Sequence, residues 1–357
     1  MSGQDQIALA ALKQLVPFSS IAETHLHDLQ RKGRVLTHDK GRILFKRGET
    51  GDALVWVLEG SVDLADAEFT VTAVAAGSER ARLPLDDHAP CAVTAVSTSP
   101  VRVFVVPRDF VDLVLTWDQA GNYLVTELSH TDEEAGEGDW MSSLLSSAIF
   151  AAVPPANIQR LFARFEEVRF RDGEAVITQG EPGDWFYVVK AGRCRITRRV
   201  EEHGEVREVT LAEIGPGAVF GEDALIGDAP RNATITMLTD GAMMRLGQTD
   251  FEDLLQNPVL EHIDYDDWET LHEDPATIVE LIDVRLPEEF EHAHLPESRN
   301  LPLHLIRSAL AQLAPDTIYV LTCDGGRRSI LGAYILSQEG LDARVLRDPP
   351  ELASSAA

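Results

Sequence analysis

The sequence predicts an α+β multidomain protein: two β-rolls of the jelly-roll type, followed by an α/β domain. Its 357 residues are too many for one compact core and indicate two or three domains. A segment rich in strand and turn signals occurs twice along the chain. The final third alternates short β runs with helical stretches, which is the pattern of an α/β domain.

The first two-thirds contain an internal repeat. "KGRILFKRGETGDALVWVLEGSVDL" aligns with "DGEAVITQGEPGDWFYVVKAGRCRI", so that Gly41 lies over Gly173 at an offset of 132. Both copies carry Gly-Glu-x-Gly-Asp between runs of β-branched and aromatic residues. Short strands joined by such turns predict an antiparallel β-roll in each copy.

Each copy has helical flanks. "AALKQLVPFSSIAETHLHDLQ" and "SSLLSSAIFAAVPPANIQRLFARF" space their apolar residues by three and four. Asp109-Phe110 and Asp250-Phe251 open the closing helices, at an offset of 141 rather than 132. The second copy therefore holds nine extra residues, partly in a longer "VEEHGEVREV" hairpin and partly in the stretch "FGEDALIGDAPRNATI".

These patterns divide the chain into a first roll at residues 1–128, a linker at 129–146, a second roll at 147–262 and an α/β domain at 263–357. The linker contains "SHTDEEAGEGDW", which is acidic and contains glycine. Its oxygen ligands do not have the spacing of a calcium loop.

The second copy carries Phe220-Gly221-Glu222, then Ala224-Leu225-Ile226, then Pro230-Arg231-x-Ala233-Thr234. This series resembles the phosphate-binding cassette of cyclic-nucleotide-binding domains, which occur in cAMP receptors and kinase regulatory subunits. The resemblance covers residues 147–262 strongly and residues 5–128 weakly. It implies that the second roll binds a cyclic nucleotide.

The resemblance also implies roles for the cassette residues. Arg231 offers a fork of donors to the cyclic phosphate, and Glu222 accepts from the ribose 2′-hydroxyl. Asn232 follows the arginine, where the family separates bases; we expect cAMP as the ligand, with cGMP and a cyclic dinucleotide left open. No metal is expected. The predicted nucleotide-binding residues are Phe220, Gly221, Glu222, Asp223, Ala224, Arg231, Asn232 and Ala233.

The first copy departs from the cassette at every charged position. "ERARLPLDDHAPCAVTAV" has no Phe-Gly-Glu and no Pro-Arg, and its nearest polar candidates are Arg82 and His88. We therefore expect the first roll to have a structural or dimerising role and to bind no nucleotide.

The C-terminal third has β runs at residues 278–283 and 317–322, and the second run ends in Cys323-Asp-Gly-Gly-Arg-Arg-Ser before an apolar helix. Together with Asp283-Val284-Arg285, Glu289-Phe290 and His294-Leu295-Pro296, this loop resembles the rhodanese family. The resemblance implies sulfur transfer through a persulfide on Cys323, from a donor such as thiosulfate to a thiol or cyanide. The predicted catalytic residues are Cys323, Gly326, Arg327 and Arg328.

This domain also departs from its family. Asp324 places an acid beside the cysteine, where it is expected to raise the thiol pKa and to repel anionic donors. Ala293 and Glu297 replace family glycines. Two alternatives remain open: a cyclic-nucleotide-regulated sulfurtransferase, or a non-enzymatic signalling adaptor whose Cys323 is silent or senses redox state. Asp283 and Arg285 are expected to brace the loop.

Composition restricts the partners. The formal net charge of −28 disfavours nucleic acid and anionic membranes. The three cysteines are far apart, which fits a reducing compartment, and no targeting or membrane-spanning pattern is present. We expect a cytoplasmic, bacterial protein, compatible with a homodimer. Its expected partners are a cyclic nucleotide and a small sulfur donor or acceptor.

Overall fold

The computed structural model describes residues 7–121, 140–141, 144, 150, 153–202, 205–347 and 353–354. The chain forms two compact units, Met1–Asp118 and Gln119–Ala357. In the described part of the chain, no helix is both long and apolar enough to cross a membrane. The first unit holds one β-roll, and the second unit holds another roll together with a parallel-sheet domain.

The first unit is an antiparallel roll of two sheets, ordered β1-β7-β3 and β2-β6-β4-β5, with a helical flank at each end. Alternate burial along Ser61–Ala65, together with the buried Val55 and Val57, shows that the two sheets enclose an apolar core. Trp56 lies on the opposite face of its strand, outside that core, and packs between Phe18 and Phe104 at ring-centroid distances of 5.1 and 6.1 Å. The strands are β1 Arg34–His38, β2 Ile43–Phe45, β3 Ala53–Glu59, β4 Ser61–Ala65, β5 Val71–Ala75, β6 Thr94–Ser97 and β7 Val101–Pro107; the helices are α1 Leu9–Leu12, α2 Glu23–Lys32 and α3 Arg108–Gly121.

The second unit begins with a roll of the same plan, ordered β13-β10-β15-β8 and β12-β11-β14-β9. Its hairpin β11–β12 is longer than the equivalent β4–β5 hairpin, as the offset of the repeat predicts. The strands are β8 Glu166–Phe170, β9 Ala175–Ile177, β10 Trp185–Ala191, β11 Cys194–Glu202, β12 Glu205–Ile214, β13 Val219–Phe220, β14 Thr234–Met237 and β15 Gly241–Gly247; the helices are α4 Pro155–Arg164, α5 Glu222–Ile226, α6 Gln248–Phe251 and α7 Asn257–Val259, with a π-helical turn at Glu252–Gln256.

The rest of the second unit is built on a five-stranded parallel sheet, ordered β16-β21-β20-β17-β19. The β runs expected at 278–283 and 317–322 form its neighbouring strands β17 and β20. The strands are β16 Glu261–Asp264, β17 Val279–Asp283, β18 Ala293–His294, β19 Arg299–Asn300, β20 Ile318–Thr322, β21 Ala343–Arg347 and β22 Ala353–Ser354; the helices are α8 Tyr265–Glu273, α9 Pro287–His292, α10 Ile306–Ala309 and α11 Arg327–Gln338. The predicted α+β multidomain fold is confirmed.

Two details of the predicted organisation differ from the structure. Trp140 and Leu144, placed by the sequence in the linker 129–146, are helical and buried in the core of the second unit. The remainder of that linker, apart from Met141, lies outside the described residues. The closing helix of the second roll ends at Val259, because Glu261–Asp264 pairs with Ala343–Arg347 as the edge strand of the parallel sheet. The first strand of the parallel sheet therefore begins at Glu261, two residues before the predicted start of the α/β domain at residue 263.

Candidate ligand-binding site and candidate active site

The cassette of the second roll starts at Gly221, which caps helix α5 with a φ of 93°. A Cβ at this position would lie 2.7 Å from Nη1 of Arg231 and 2.9 Å from the carbonyl oxygen of Trp185. Both the left-handed backbone and the lack of space therefore require glycine. This close approach brings the chain at the helix start against the guanidinium of Arg231.

Arg231 is held inside the roll, with 2% of its surface exposed. Its Nη1 donates to the carbonyl oxygen of Gly221 at 2.9 Å, and Nη2 donates to that of Trp185 at 2.7 Å. Asp184, a largely exposed carboxylate, lies 3.5 Å from Nη2. Burial lowers the pKa of Arg231, against the opposing effects of Tyr187 and Asp184, but an arginine stays charged. The buried cation is therefore pre-oriented, and within the described residues the one carboxylate in ion-pair range of it is the exposed Asp184, which suits an anion site.

Glu222 supplies the complementary group. It is buried, and among the described residues its Oε2 has no hydrogen-bond partner. Burial raises its pKa to about 7, Asp223 adds to the rise, and Arg307 and Arg231 oppose it. A buried acceptor without a donor costs free energy, which a ligand hydroxyl would relieve.

This shift gives a prediction for folding stability. Because the pKa of Glu222 is raised above its ordinary 4.5, its favourable contribution is complete below pH 4.5 and is lost as pH rises through about 7. We expect the free energy of unfolding of Glu222→Gln, relative to that of the original chain, to rise by on the order of 2 kcal/mol between pH 5 and pH 8. Urea unfolding at each pH measures the difference. The same substitution at exposed Glu181 is the control, and a pH-independent difference for Glu222→Gln would contradict the assignment.

The other predicted cassette residues come together here, although some serve packing. Phe220 stacks on Tyr187 with ring centroids 5.2 Å apart, and Ala233 lies in the same buried cluster. Asn232 does not face water freely: its Nδ2 donates to Oδ2 of Asp223 at 3.2 Å. Ala224 packs against Gly183, and a Cβ on Gly183 would lie 2.5 Å from the Cβ of Ala224.

Sequence reasoning missed the aromatic wall of this site. The guanidinium of Arg231 lies 5.9 Å from the Tyr187 ring centroid, and that of Arg245 lies 3.9 Å from the Trp185 ring. The run of aromatic and β-branched residues in "WFYVV" predicted a strand that contains these rings, but the β10–β15 pairing is what brings Arg245 opposite Tyr187.

The equivalent region of the first roll is built differently. A 3₁₀ helix, Glu79–Arg82, stands near the place of the cassette helix. Arg82 contacts Glu79 and the carbonyl oxygen of Gln14, and the His88 ring lies 2.9 Å from Asp86. The two polar candidates from the sequence are thus bound to neighbouring groups.

Cys323 follows strand β20 and opens the loop that leads into helix α11. Its sulfur lies 3.1 Å from the amide nitrogen of Gly326, 3.4 Å from that of Ser329 and 3.4 Å from Oγ of Ser329. Gly326 has a φ of 84°, which turns the loop back over the cysteine. Amides at the start of a twelve-residue helix favour the thiolate, the nucleophilic form.

Arg328 has a different place from the one predicted. It is fully buried, and its guanidinium binds both oxygens of Glu289, at 2.8 and 3.0 Å, and Oδ1 of Asp324 at 2.6 Å. These donors are directed to the two carboxylates, so in this structure Arg328 braces the loop. Arg327, the first residue of α11, is partly exposed and is the loop cation nearer to solvent.

Asp324 is likewise not the isolated acid that the sequence implied. Burial would raise its pKa, but the neighbouring Arg328 and Arg285 hold the pKa below its usual range. It remains ionised as part of a network, because Arg328 shares its charge between two carboxylates. Arg285 and Asp283 form a second buried pair, 2.6 Å apart, and Arg285 also donates to the carbonyl oxygen of Ala293. This pair ties the end of β17 to Ala293, and its role in bracing the Cys323 loop stays a prediction.

The cassette and the parallel-sheet domain share one apolar core. Leu225 and Ile226 of helix α5 belong to the same buried cluster as Tyr334 of helix α11, and the two helices are in contact. The Tyr334 ring lies 6.1 Å from that of Phe251, at 59°. Burial raises the pKa of Tyr334 well above its usual value, with further contributions from Glu222 and Asp223. Helix α11 thus begins at the Cys323 loop and contacts the cassette two turns later.

Comparisons with known proteins agree with these two regions. Residues 167–258 match the family model described as cyclic nucleotide-binding domain, and residues 265–348 match the one described as rhodanese-like domain. The chain is therefore similar to a cyclic nucleotide-binding domain over residues 167–258 and to a rhodanese-like domain over residues 265–348.

Two curated relatives resemble the nucleotide-binding part. The cAMP-dependent protein kinase regulatory subunit of Yarrowia lipolytica is 29% identical over 229 residues, 64% of this chain and 56% of that protein. The cGMP-dependent protein kinase egl-4 of Caenorhabditis briggsae is 24% identical over 265 residues, 73% of this chain and 33% of that protein. The chain thus spans between a third and 56% of their lengths. Neither is bacterial, so they give no support to the expected bacterial origin.

Among solved structures, the regulatory domain of Toxoplasma gondii PKA with cAMP is 21% identical to this chain. The match covers 70% of this chain and 91% of that one, with a TM-score of 0.31.

Proposed function

We propose that the protein is a cyclic-nucleotide sensor whose second roll, with cAMP as the preferred ligand, regulates sulfur transfer at Cys323. The observation that carries this proposal is the contact between helix α5 of the cassette and helix α11, which starts at the Cys323 loop. The domain limits 1–128 and 147–262 remain part of the proposal, as do a cytoplasmic location and a homodimer.

Two buried groups support the ligand. Arg231 would turn part of its fork of donors to the exocyclic oxygens of a cyclic phosphate, and Glu222 would accept the ribose hydroxyl with its unpartnered Oε2. Asn232, paired with Asp223, places an amide next to the arginine without excluding guanine. The preference for cAMP rests on the likeness to proteins named as cAMP-dependent.

The chemistry at Cys323 would proceed in two balanced steps. The thiolate attacks the outer sulfur of thiosulfate, the S–S bond of the donor breaks, and sulfite leaves with the electron pair. Cyanide or a thiolate then attacks the sulfane sulfur of the Cys323 persulfide, and the cysteine thiolate is released. The backbone amides of Gly326 and Ser329 stabilise the negative charge on sulfur, both in the Cys323 thiolate and in its persulfide.

Coupling would run through helix α11. A ligand that draws the carboxylate of Glu222 and the guanidinium of Arg231 towards itself must shift helix α5, and Leu225 and Ile226 of α5 pack in the core that contains Tyr334. The start of α11 then moves with its body, which changes the position of Gly326 against Cys323. By linkage, a donor whose affinity changes with cAMP must change cAMP affinity by the same factor.

The test is a substitution at the helix contact. We expect saturating cAMP to change donor affinity in the original chain by roughly 5- to 150-fold. In Tyr334→Leu this factor should approach one, while cAMP binding itself persists. The matched control is Tyr319→Leu, since that buried tyrosine bonds to the Ala314 backbone. If cAMP changes donor affinity in Tyr334→Leu by the same factor as in the original chain, coupling through helix α11 is contradicted, provided that both variants unfold cooperatively.

A second candidate function is a signalling adaptor without sulfur transfer. The observation that favours it is the burial of Arg328 against Glu289 and Asp324, which withholds one loop cation from an anionic donor. In that case, ligand-dependent movement of α11 would alter a protein-binding surface. Sulfur transfer by Cys323 separates the two candidates.

A further inference from the structure

The first roll contains a cavity of about 300 Å³, lined by residues of the first roll alone and so not part of the nucleotide site of the second roll. Its walls are apolar side chains of strands β1, β3 and β7, among them Leu36, Val55 and Val103. The volume is at the lower end for small-molecule pockets, and this combination of apolar walls with a few polar groups is typical of them.

The polar groups of the cavity are mainly acidic. Glu49, Asp52 and Asp86 line it together with His38 and Thr50, and none of its lining residues in the described chain is Lys or Arg. Asp86 is buried, accepts from the backbone amides of His88 and Val93, and lies 2.9 Å from the His88 ring, so Glu49 and Asp52, exposed at the rim, are the acids open to a ligand. A cleft with walls of low dielectric and charges of one sign attracts counter-ions.

Comparison of the two rolls sharpens this point. Asp52 corresponds to Asp184, which lies 3.5 Å from the Arg231 guanidinium in the second roll. In the first roll, neither Asp52 nor Glu49 forms an ion pair within the described residues. In the second roll, Asp184 thus lies beside an arginine, whereas in the first roll its counterpart Asp52 lines the cavity.

The nearby arginines are already committed. The guanidinium of Arg108 donates to the carbonyl oxygens of Gly51, Asp87 and His88, at 2.7–3.0 Å. That of Arg80 donates to the carbonyl oxygens of Pro84 and Leu85. Both side chains tie down the loop that borders the cavity, and neither lines the cavity itself.

We propose that the first roll binds a small organic cation with an apolar body, in place of a cyclic nucleotide. The apolar strand faces hold the body, and the carboxylates of Glu49 and Asp52 hold the ammonium group at the rim. This cation site is distinct from the cyclic-nucleotide site proposed for the second roll, so either proposal can fail without the other.

Cys91 reports on the cavity because it lines the wall. Burial raises the pKa of its thiol, and Asp86 adds to the rise. In a Cys323→Ser chain, the thiolate can be modified by methanethiosulfonates carrying either a trimethylammonium or a sulfonate group. In each reagent an ethyl chain joins the charged group to a sulfur atom. That sulfur forms a disulfide with Cys91, and methanesulfinate leaves with the electron pair. Mass spectrometry identifies the modified cysteine.

We expect the cationic reagent to be favoured at Cys91, and the cation-to-anion rate ratio to fall about tenfold in Glu49→Gln/Asp52→Asn. The control is Glu59→Gln/Glu68→Gln, an equal loss of charge away from the cavity lining, which should leave the ratio unchanged. A ratio that responds equally to both pairs would overturn the proposal.

Ligand protection gives the second measurement. We expect 2-phenylethylammonium to slow the modification of Cys91, and 3-phenylpropionate, of similar shape but opposite charge, to leave it unaffected. Protection by both probes, by neither, or by cAMP would each refute a cation site. Cyclic-nucleotide binding that is lost in Arg231→Ala, with no protection by the ammonium probe, would leave the proposed function standing and remove this inference alone.

Discussion

Replacing Arg231 by alanine is expected to weaken cAMP binding by about a hundredfold or more. The guanidinium is buried, is oriented by the carbonyl oxygens of Gly221 and Trp185, and has one exposed carboxylate nearby. Loss of a buried, hydrogen-bonded charge partner costs about 2–5 kcal/mol, and each 1.4 kcal/mol is a factor of ten in affinity. Calorimetric titration of cAMP into the purified full chain measures the change.

Two variants control this experiment. Arg231→Lys keeps the charge but loses the fork of donors, so its affinity should lie between those of the original chain and the alanine variant. Arg195→Ala removes an arginine that pairs with Glu213 on the solvent face of β11, and its cAMP affinity should stay within about twofold. Undiminished binding in Arg231→Ala would mean that the ligand binds elsewhere.

Replacing Cys323 by serine is expected to reduce thiosulfate-to-cyanide sulfur transfer by at least about a thousandfold, to the uncatalysed background. No persulfide forms without the sulfur, and the amides of Gly326 and Ser329 then have no thiolate to stabilise. Thiocyanate production under saturating thiosulfate measures the rate.

Cys194→Ala is the matched cysteine control. Burial raises the pKa of Cys194 to about 12, so it stays a neutral thiol inside the second roll, and its loss should leave the rate unchanged. Equal rates for the original chain and Cys323→Ser would remove the enzyme proposal and leave the adaptor.

The repeat was readable from the sequence because its glycines perform backbone tasks. Gly48 and Gly180 have φ values of 82° and 89°, and Gly60 and Gly192 have 82° and 91°. Other residues adopt such conformations at a cost, so the same turns kept the same residue in both copies. The cassette was readable for a related reason, since Gly221 alone fits between Arg231 and Trp185.

Other features depend on contacts that no local pattern encodes. Arg328 lies five residues after Cys323 and was predicted to be catalytic, but the fold brings Glu289 against it, so that in the structure it braces the loop. The packing of Tyr334 on the cassette joins segments that are far apart in the sequence. Trp140 and Leu144 were assigned to a linker on the acidic residues before them, yet their apolar side chains are buried in the core.

The cavity of the first roll illustrates the same limit. Its acids were visible in the sequence, but nothing there indicated that Arg108 and Arg80 spend their donors on loop carbonyl groups. That no nucleotide binds in the first roll stays a prediction from the sequence. The position of these acids around one cavity is what the structure adds.

The most direct measurement of the central claim is the stoichiometry of the cAMP titration into the intact, unmodified chain. One ligand per chain is the predicted result, because within the described residues only the second roll presents a buried arginine and an unpartnered glutamate to a cyclic phosphate and its ribose. Two ligands per chain, or no detectable heat with cAMP, cGMP or a cyclic dinucleotide, would contradict it.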